Sequence, residues 1–303
     1  MDIPLQLRAN DVQFHIINID SRFRDAPERS QASNFHFTMP TQIRNILRIR
    51  LTSIEFPNNY YMFTEKRHNT TLRIIYKDSG GTVVGEAITI PDGNYTAYEM
   101  ETQLNMSIQE HPLLTTLTVQ FVPTTGHFIF KWDRRFAVDP SFESIERISD
   151  YGLGFYLGFK RSLHKSIEVA VGPSVWEVES DMLATFSGDS YFLLRLNDYK
   201  CVSHYFEGNT VDAFAKILLR DSKNTLNFDD YAGDHIKEVV MTGPQDLKRF
   251  TVQILDPYGQ LVDLCHTNFS FSLEILEIKN VNLYSAVRDS LAIPYAGVHR
   301  QRL

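Results

Sequence analysis

Ile19-Asp-Ser-Arg-Phe-Arg-Asp25, Ser33-Asn-Phe-His-Phe-Thr-Met-Pro40 and Leu47-Arg-Ile-Arg-Leu-Thr-Ser-Ile-Glu-Phe-Pro57 read in succession as loop, strand, turn, strand and proline stop. Phe35, Phe37 and Met39 alternate with His36 and Thr38, a half-buried strand closed by Pro40. Leu47, Ile49 and Leu51 then alternate with Arg48 and Arg50, but after Thr52-Ser53 the apolar phase moves to Ile54 and Phe56. Successive strand side chains point to opposite faces, so a change of phase requires a bulge or a change of sheet. The same switch recurs near the end of the chain, where Phe269, Phe271, Leu273 and Ile275 give way to Leu276 and Ile278. Both switches are predicted to mark bulges or corners of one β-sandwich.

Between them lies a segment of another kind. Leu72–Tyr76 and Ala87–Pro91 flank Ser79-Gly-Gly-Thr82 as a hairpin. Thr96 with Glu99 fits a capping box opening a helix whose apolar face is Ala97, Met100, Leu104 and Ile108, and Pro112 ends it. Strands at Leu117–Val122 and His127–Trp132 follow, giving an inserted ββαββ module over residues 64–165. After Pro173 strands resume at Val175–Val178, Tyr191–Leu196, Ala215–Leu219, Phe250–Leu255, Leu261–Leu264 and Asn268–Ile278. Asp256-Pro-Tyr-Gly259 has Pro and Gly where a β-turn wants them, and the polar stretch Asp221–Asp234 reads as an exposed loop. The predicted fold is all-β: a jelly-roll β-sandwich from residues 12–62 and 174–279, interrupted by the module and followed by a tail at 280–303.

Composition agrees with this and removes several function classes. The 303 residues are 43% hydrophobic and 12% aromatic, with 21 Phe against 2 Trp, which suits interdigitating sheets. A net charge of −7 excludes nucleic acid as a main partner, since a grip on phosphates needs a basic stripe. The first residues lack the apolar core of a signal peptide, and no stretch reaches the roughly 20 apolar residues of a membrane helix. Cys201 and Cys265 stand far apart, so they read as reduced thiols, and the Asn-x-Ser/Thr triplets at Asn69, Asn94, Asn105 and Asn268 read as chance.

The quoted opening phrases resemble the start of the jelly-roll penton and minor capsid proteins of large icosahedral double-stranded DNA viruses. In that family an Asp-Ser-x-x-Arg-Asp segment leads into paired strands ending in Pro. Ile90-Pro-Asp-Gly-Asn-Tyr95, Leu153-Gly-Phe-Tyr-Leu-Gly-Phe159 and the stretch from Asp256-Pro-Tyr-Gly259 to Leu273 resemble further phrases of the same family, so the resemblance spans most of the chain. It implies a non-enzymatic virion protein, assembled inside the host cell and not secreted. Its partners are then the other subunits of a homo-pentamer at the five-fold vertices, the major capsid protein and other minor capsid proteins. A minor capsid protein cementing the major capsomers is the alternative within the family, and a carbohydrate-binding β-sandwich using Tyr60, Tyr61 or Tyr95 is the alternative outside it. The assembly residues implied by resemblance are Asp20, Arg22, Arg24 and Asp25, either as a salt-bridged loop that fixes the N-terminal arm or as a contact to a neighbouring capsomer. Tyr284 and Tyr295 in the tail are added as docking anchors.

No residue pattern supports a catalytic, cofactor or metal site. The 10 His residues show neither HExxH nor His-x-His spacing, and no GxSxG is present. Asp229-Asp-Tyr-Ala-Gly-Asp234 lacks the alternating ligands and closing Glu of a calcium loop. Tyr151-Gly-Leu-Gly-Phe-Tyr-Leu-Gly-Phe159 lacks the Lys-Ser/Thr of a phosphate loop, and reads as a tight apolar turn.

Overall fold

A computed structural model describes residues 11–170, 174–220, 225–229 and 237–279. Strand accounts for 51% and helix for 9%, which sets the class as all-β and is consistent with the jelly-roll-type body expected from the sequence. The chain divides into two compact units: Met1–Tyr60 with Asp189–Leu303, and Tyr61–Gly188. It starts in the first as β1 (Val12–Asp20) and β2 (Asn34–Pro57). It then builds the second from β3 (Thr71–Lys77), β4 (Val83–Thr89), α1 (Ala97–Gln109), β5 (Thr118–Val122), β6 (His127–Trp132), β7 (Phe136–Asp139), the single turn α2 (Leu153–Tyr156), β8 (His164–Lys165), β9 (Ile167–Ala170) and β10 (Val175–Glu179). It returns as β11 (Tyr191–Leu196), β12 (Val202–Phe206), β13 (Asn209–Ala213), β14 (Ala215–Leu218), β15 (Leu226–Asp229), β16 (Lys237–Leu255) and β17 (Ser270–Ile278).

In the first unit a seven-stranded antiparallel sheet runs β1-β17-β2-β16-β11-β14, with β15 added to the far end of β2. β2 and its neighbour β17 carry the phase switches. Ser272 faces Ser53 while Leu273 faces Leu51, so Thr52 is an extra residue; Leu276 faces Arg48 while Glu277 faces Ile46, so Leu47 is another. Each extra residue resets the alternation, so that Ile46, Leu47, Ile49, Leu51, Ile54 and Phe56 are all buried. Phe35, Phe56, Phe192, Phe250 and Phe271 fill the core with Ile254 and Leu273. Phe56 and Tyr60 meet Phe192 edge-on at 5.8 and 4.9 Å, an arrangement favoured by the ring quadrupole.

The second unit holds two four-stranded sheets, β4-β3-β7-β8 and β5-β6-β10-β9, around one core that α1 closes with Met100, Leu104 and Ile108. The predicted capping box is present: Glu99 N–H donates to Thr96 Oγ1 at 3.3 Å and Thr96 N–H to Glu99 Oε2 at 2.8 Å. The order ββαββ occurs as β3 to β6, but it is half of the unit. Strands β7 to β10 complete both sheets, and Val175–Val178, assigned from sequence to the jelly-roll, pairs instead with β6 through Trp176 opposite Trp132. Two further expectations are corrected. Leu261–Leu264 forms only a bridge from Leu261 to Leu255 after the Asp256–Gly259 turn, and the predicted loop at 221–234 contains β15 among its described residues.

Candidate assembly site

The segment Asp20–Asp25 is a clasp between the strands on either side of it. Asp20 ends β1 in extended geometry, and its carboxylate caps the short turn Ser21–Phe23 by accepting from Arg22 N–H at 2.8 Å. The Arg22 guanidinium grips both oxygens of the same carboxylate, Nε donating to Oδ1 at 3.1 Å and Nη2 to Oδ2 at 2.5 Å, a two-point geometry that a planar fork provides. This bond holds the Asp20 carboxyl below its ordinary range, against the opposing effect of burial, and raises Arg22. Ser21 is fully buried and bonds the residue that precedes β17 through both backbone and side chain: Ser21 N–H donates to Phe269 O at 2.9 Å, and Phe269 N–H donates to Ser21 Oγ at 3.0 Å.

Arg24 is the buckle. It donates to Ser21 O at 2.6 Å, and at 3.2 Å to Ser30 O, Ser30 Oγ, Pro27 O and Asn268 Oδ1. Asp25 ties the other end: its N–H donates to His36 O at 2.8 Å, its carboxylate accepts from Thr38 Oγ1 at 2.7 Å, and Arg249 Nε lies 3.6 Å away. Left-handed Ala26 turns the chain back toward β2. All four motif residues are thus engaged inside the chain, and only Arg22 and Phe23 extend from the clasp into solvent, stacked with 5.6 Å between guanidinium and ring. Sequence reasoning missed the partners Ser30, Thr38, Arg249 and Asn268. The last two lie more than 200 positions away, and no local pattern marks them. Tyr284 and Tyr295 lie outside the described residues.

The other chemistry-bearing residues have structural duties. Asn69 donates to Met62 O at 2.9 Å and accepts from Thr64 N–H at 2.8 Å; Asn105 bonds both backbone groups of Val119; Asn94 accepts from Met62 N–H, and Asn268 from Ser21 and Arg24. Gly154 and Gly158 are required by close packing, because a Cβ would come within 2.1 Å of Pro140 and of the Met182 carbonyl respectively. Tyr60, expected on the surface, is 2% exposed, with its hydroxyl accepting from Asp189 N–H at 2.6 Å. Tyr61 is half exposed, while Tyr95 and Tyr98 border an open depression with Asn94, Glu99, Thr102 and Gln103. Among the described residues no three His, Cys, Asp or Glu side chains gather as a metal would need, and no helix is long and apolar enough to cross a membrane.

Fold and clasp together define an all-β protein whose charged motif fastens the edge strand β1. No protein-family model matches the chain, and no curated protein does. Among solved structures it is similar to the mavirus penton protein, at 10% identity over 88% of this chain and 99% of that one, with a TM-score of 0.46. It is also similar to a chain in the structure of the Sputnik virophage, at 10% identity over 88% and 98%, with a TM-score of 0.41.

Proposed function

We propose that this chain is a structural capsid protein, the penton that closes the five-fold vertices of an icosahedral DNA virus particle as a homo-pentamer. The observation that carries the reading is where its capsid-like phrase falls in the fold. Asp20–Asp25 fastens β1 to the chain around β17, β2 and β16, fixing the edge of the jelly-roll sheet before any neighbour arrives. Such a body needs shape, burial and edge complementarity, and a ring of five needs a head-to-tail contact whose rotation closes. Within the clasp, the exposed Arg22 and Phe23 are the part left to meet a neighbouring capsomer. The unit at Tyr61–Gly188 is an insertion in the jelly-roll available to contact major or minor capsid proteins. Tyr284 and Tyr295 keep their proposed role as anchors.

The test is a cryo-EM reconstruction of the particle that contains this chain. Five copies around each five-fold axis are expected. Density beneath the facets would make the chain a cement protein, and absence from the shell would overturn the capsid reading.

A further inference from the structure

The first unit has two open strand edges with matching apolar side chains. β1 has one strand neighbour, β17, and β15 has one, β2, among the described residues. Register places them at opposite edges of one local sheet: Asp20 faces Ser270, Ser270 faces Glu55, and Glu55 faces Phe228. Along β1 the residues that share this face with Asp20 include Phe14 and Ile16, which are 55% and 76% exposed. Along β15 they are Leu226 and Phe228, 59% and 62% exposed. Each edge therefore presents two large apolar side chains two residues apart, on the same side of the same sheet.

Exposed apolar edge strands are templates for pairing, and monomeric proteins usually blunt them with charge, Pro or cover. Their directions fit one occupant. β1, β17, β2 and β15 alternate in direction, since each pair is antiparallel. A second copy placed beside the first in the same orientation thus brings its β15 antiparallel to β1. Register puts Phe228 in the row of Asp20, with Ile16 and Phe14 four and six residues away, so the second copy also slides by about six residues, on the order of 20 Å, for the sheet to continue with both apolar pairs on one face as cross-strand neighbours. The contact is heterologous, with different patches on the two partners; translation alone would extend it as a filament, and a rotation added at each contact closes it into a ring. The four side chains expose on the order of 500 Å², roughly a third of a standard interface. They form the apolar centre of a contact whose remainder is main chain and rim.

We infer that copies of this chain join head to tail by β-strand addition, the Phe14/Ile16 edge of one subunit pairing with the Leu226/Phe228 edge of the next. This rests on the self-assembling capsid reading and names its surface.

The experiment uses full-length chain and mass photometry, with Ile16→Glu and Phe228→Glu each checked for an unchanged thermal melt. Wild type is expected to form closed oligomers, and each variant to lower the oligomer fraction at least tenfold. A mixture of the two variants is expected to give dimers and no rings. The β1 edge of Phe228→Glu and the β15 edge of Ile16→Glu make one productive contact and leave two ruined edges. As a second measurement, Ile16→Cys and Phe228→Cys chains in a Cys201→Ser/Cys265→Ser background should crosslink through a short bis-maleimide only when mixed. Oligomers that tolerate both Glu variants and fail to crosslink would overturn the edge contact while leaving self-assembly standing. Wild type that stays monomeric at every concentration would overturn self-assembly itself, and the contact with it.

Discussion

Replacing Arg24 separates a clasp from a contact. In the structure its guanidinium reaches five acceptors, one at 2.6 Å and four at 3.2 Å. A well-formed hydrogen bond to a charged group contributes about 1.5–3 kcal/mol, long ones much less, and the freed carbonyls at this half-exposed site regain water. Arg24→Ala is therefore expected to cost the first unit about 2–3 kcal/mol. For a unit of its size that lowers the melting temperature by roughly 5–10 °C. Arg24→Lys should recover less than half, because an ammonium cannot span acceptors on both sides of the loop. The assay is thermal unfolding of the chain at a concentration where it is monomeric, so that no neighbour contributes. Unchanged monomer melting together with lost assembly would refute the reasoning and make Arg24 an interface residue.

Gly158→Ala forces a side chain into a left-handed residue and against the Met182 carbonyl; about 3–5 kcal/mol of lost stability is expected in urea unfolding of the second unit, and a loss below 1 kcal/mol would contradict the packing described. Asn69→Ala removes the partner of the part-buried Thr64 N–H and leaves the Met62 carbonyl only Arg67 Nη1 at 3.4 Å, which should cost about 1–2 kcal/mol by the same measurement. The folded Asp20 carboxyl titrates below its unfolded value, so its contribution is complete above about pH 4 and lost as pH falls through the lowered folded value. The melting difference between wild type and Asp20→Asn should therefore be largest near neutrality and shrink in acid; a difference that grows in acid would reverse the assignment.

Periodicity revealed the sheet wherever the core lay on one side. The bulge at Thr52 was readable because the apolar residues change phase around it, and the one at Leu47 was signalled only on the partner strand, where Ile275 gives way to Leu276. β15 was hidden for the opposite reason: Asn227 points inward, bonded to Arg220 N–H, while Leu226 and Phe228 point out, so its pattern is inverted inside a polar stretch. The first half of β16 was missed because Gly243-Pro244 and charged neighbours interrupt its apolar alternation. Sheet membership was illegible for Val175–Val178, since alternation names a buried face and not a partner. Of adjacent Tyr60 and Tyr61, only tertiary packing decides which is inside. The clasp was visible as a charged motif, but its function as a fastening depends on Asn268 and Arg249, which the sequence sets far away.

The Tyr60 hydroxyl bonded to Asp189 N–H has a consequence for biosynthesis. These residues are the exit and re-entry points of an excursion of about 130 residues. At about 5–20 residues per second of translation, β1 and β2 wait roughly 10–45 seconds until β17, the last strand of their sheet, has been made. During that wait their apolar edge has no partner of its own. An insert that folds first ties off the excursion as a compact body, so the late half arrives tethered beside the early half, and the loop-closure entropy of a long flexible connection has already been spent.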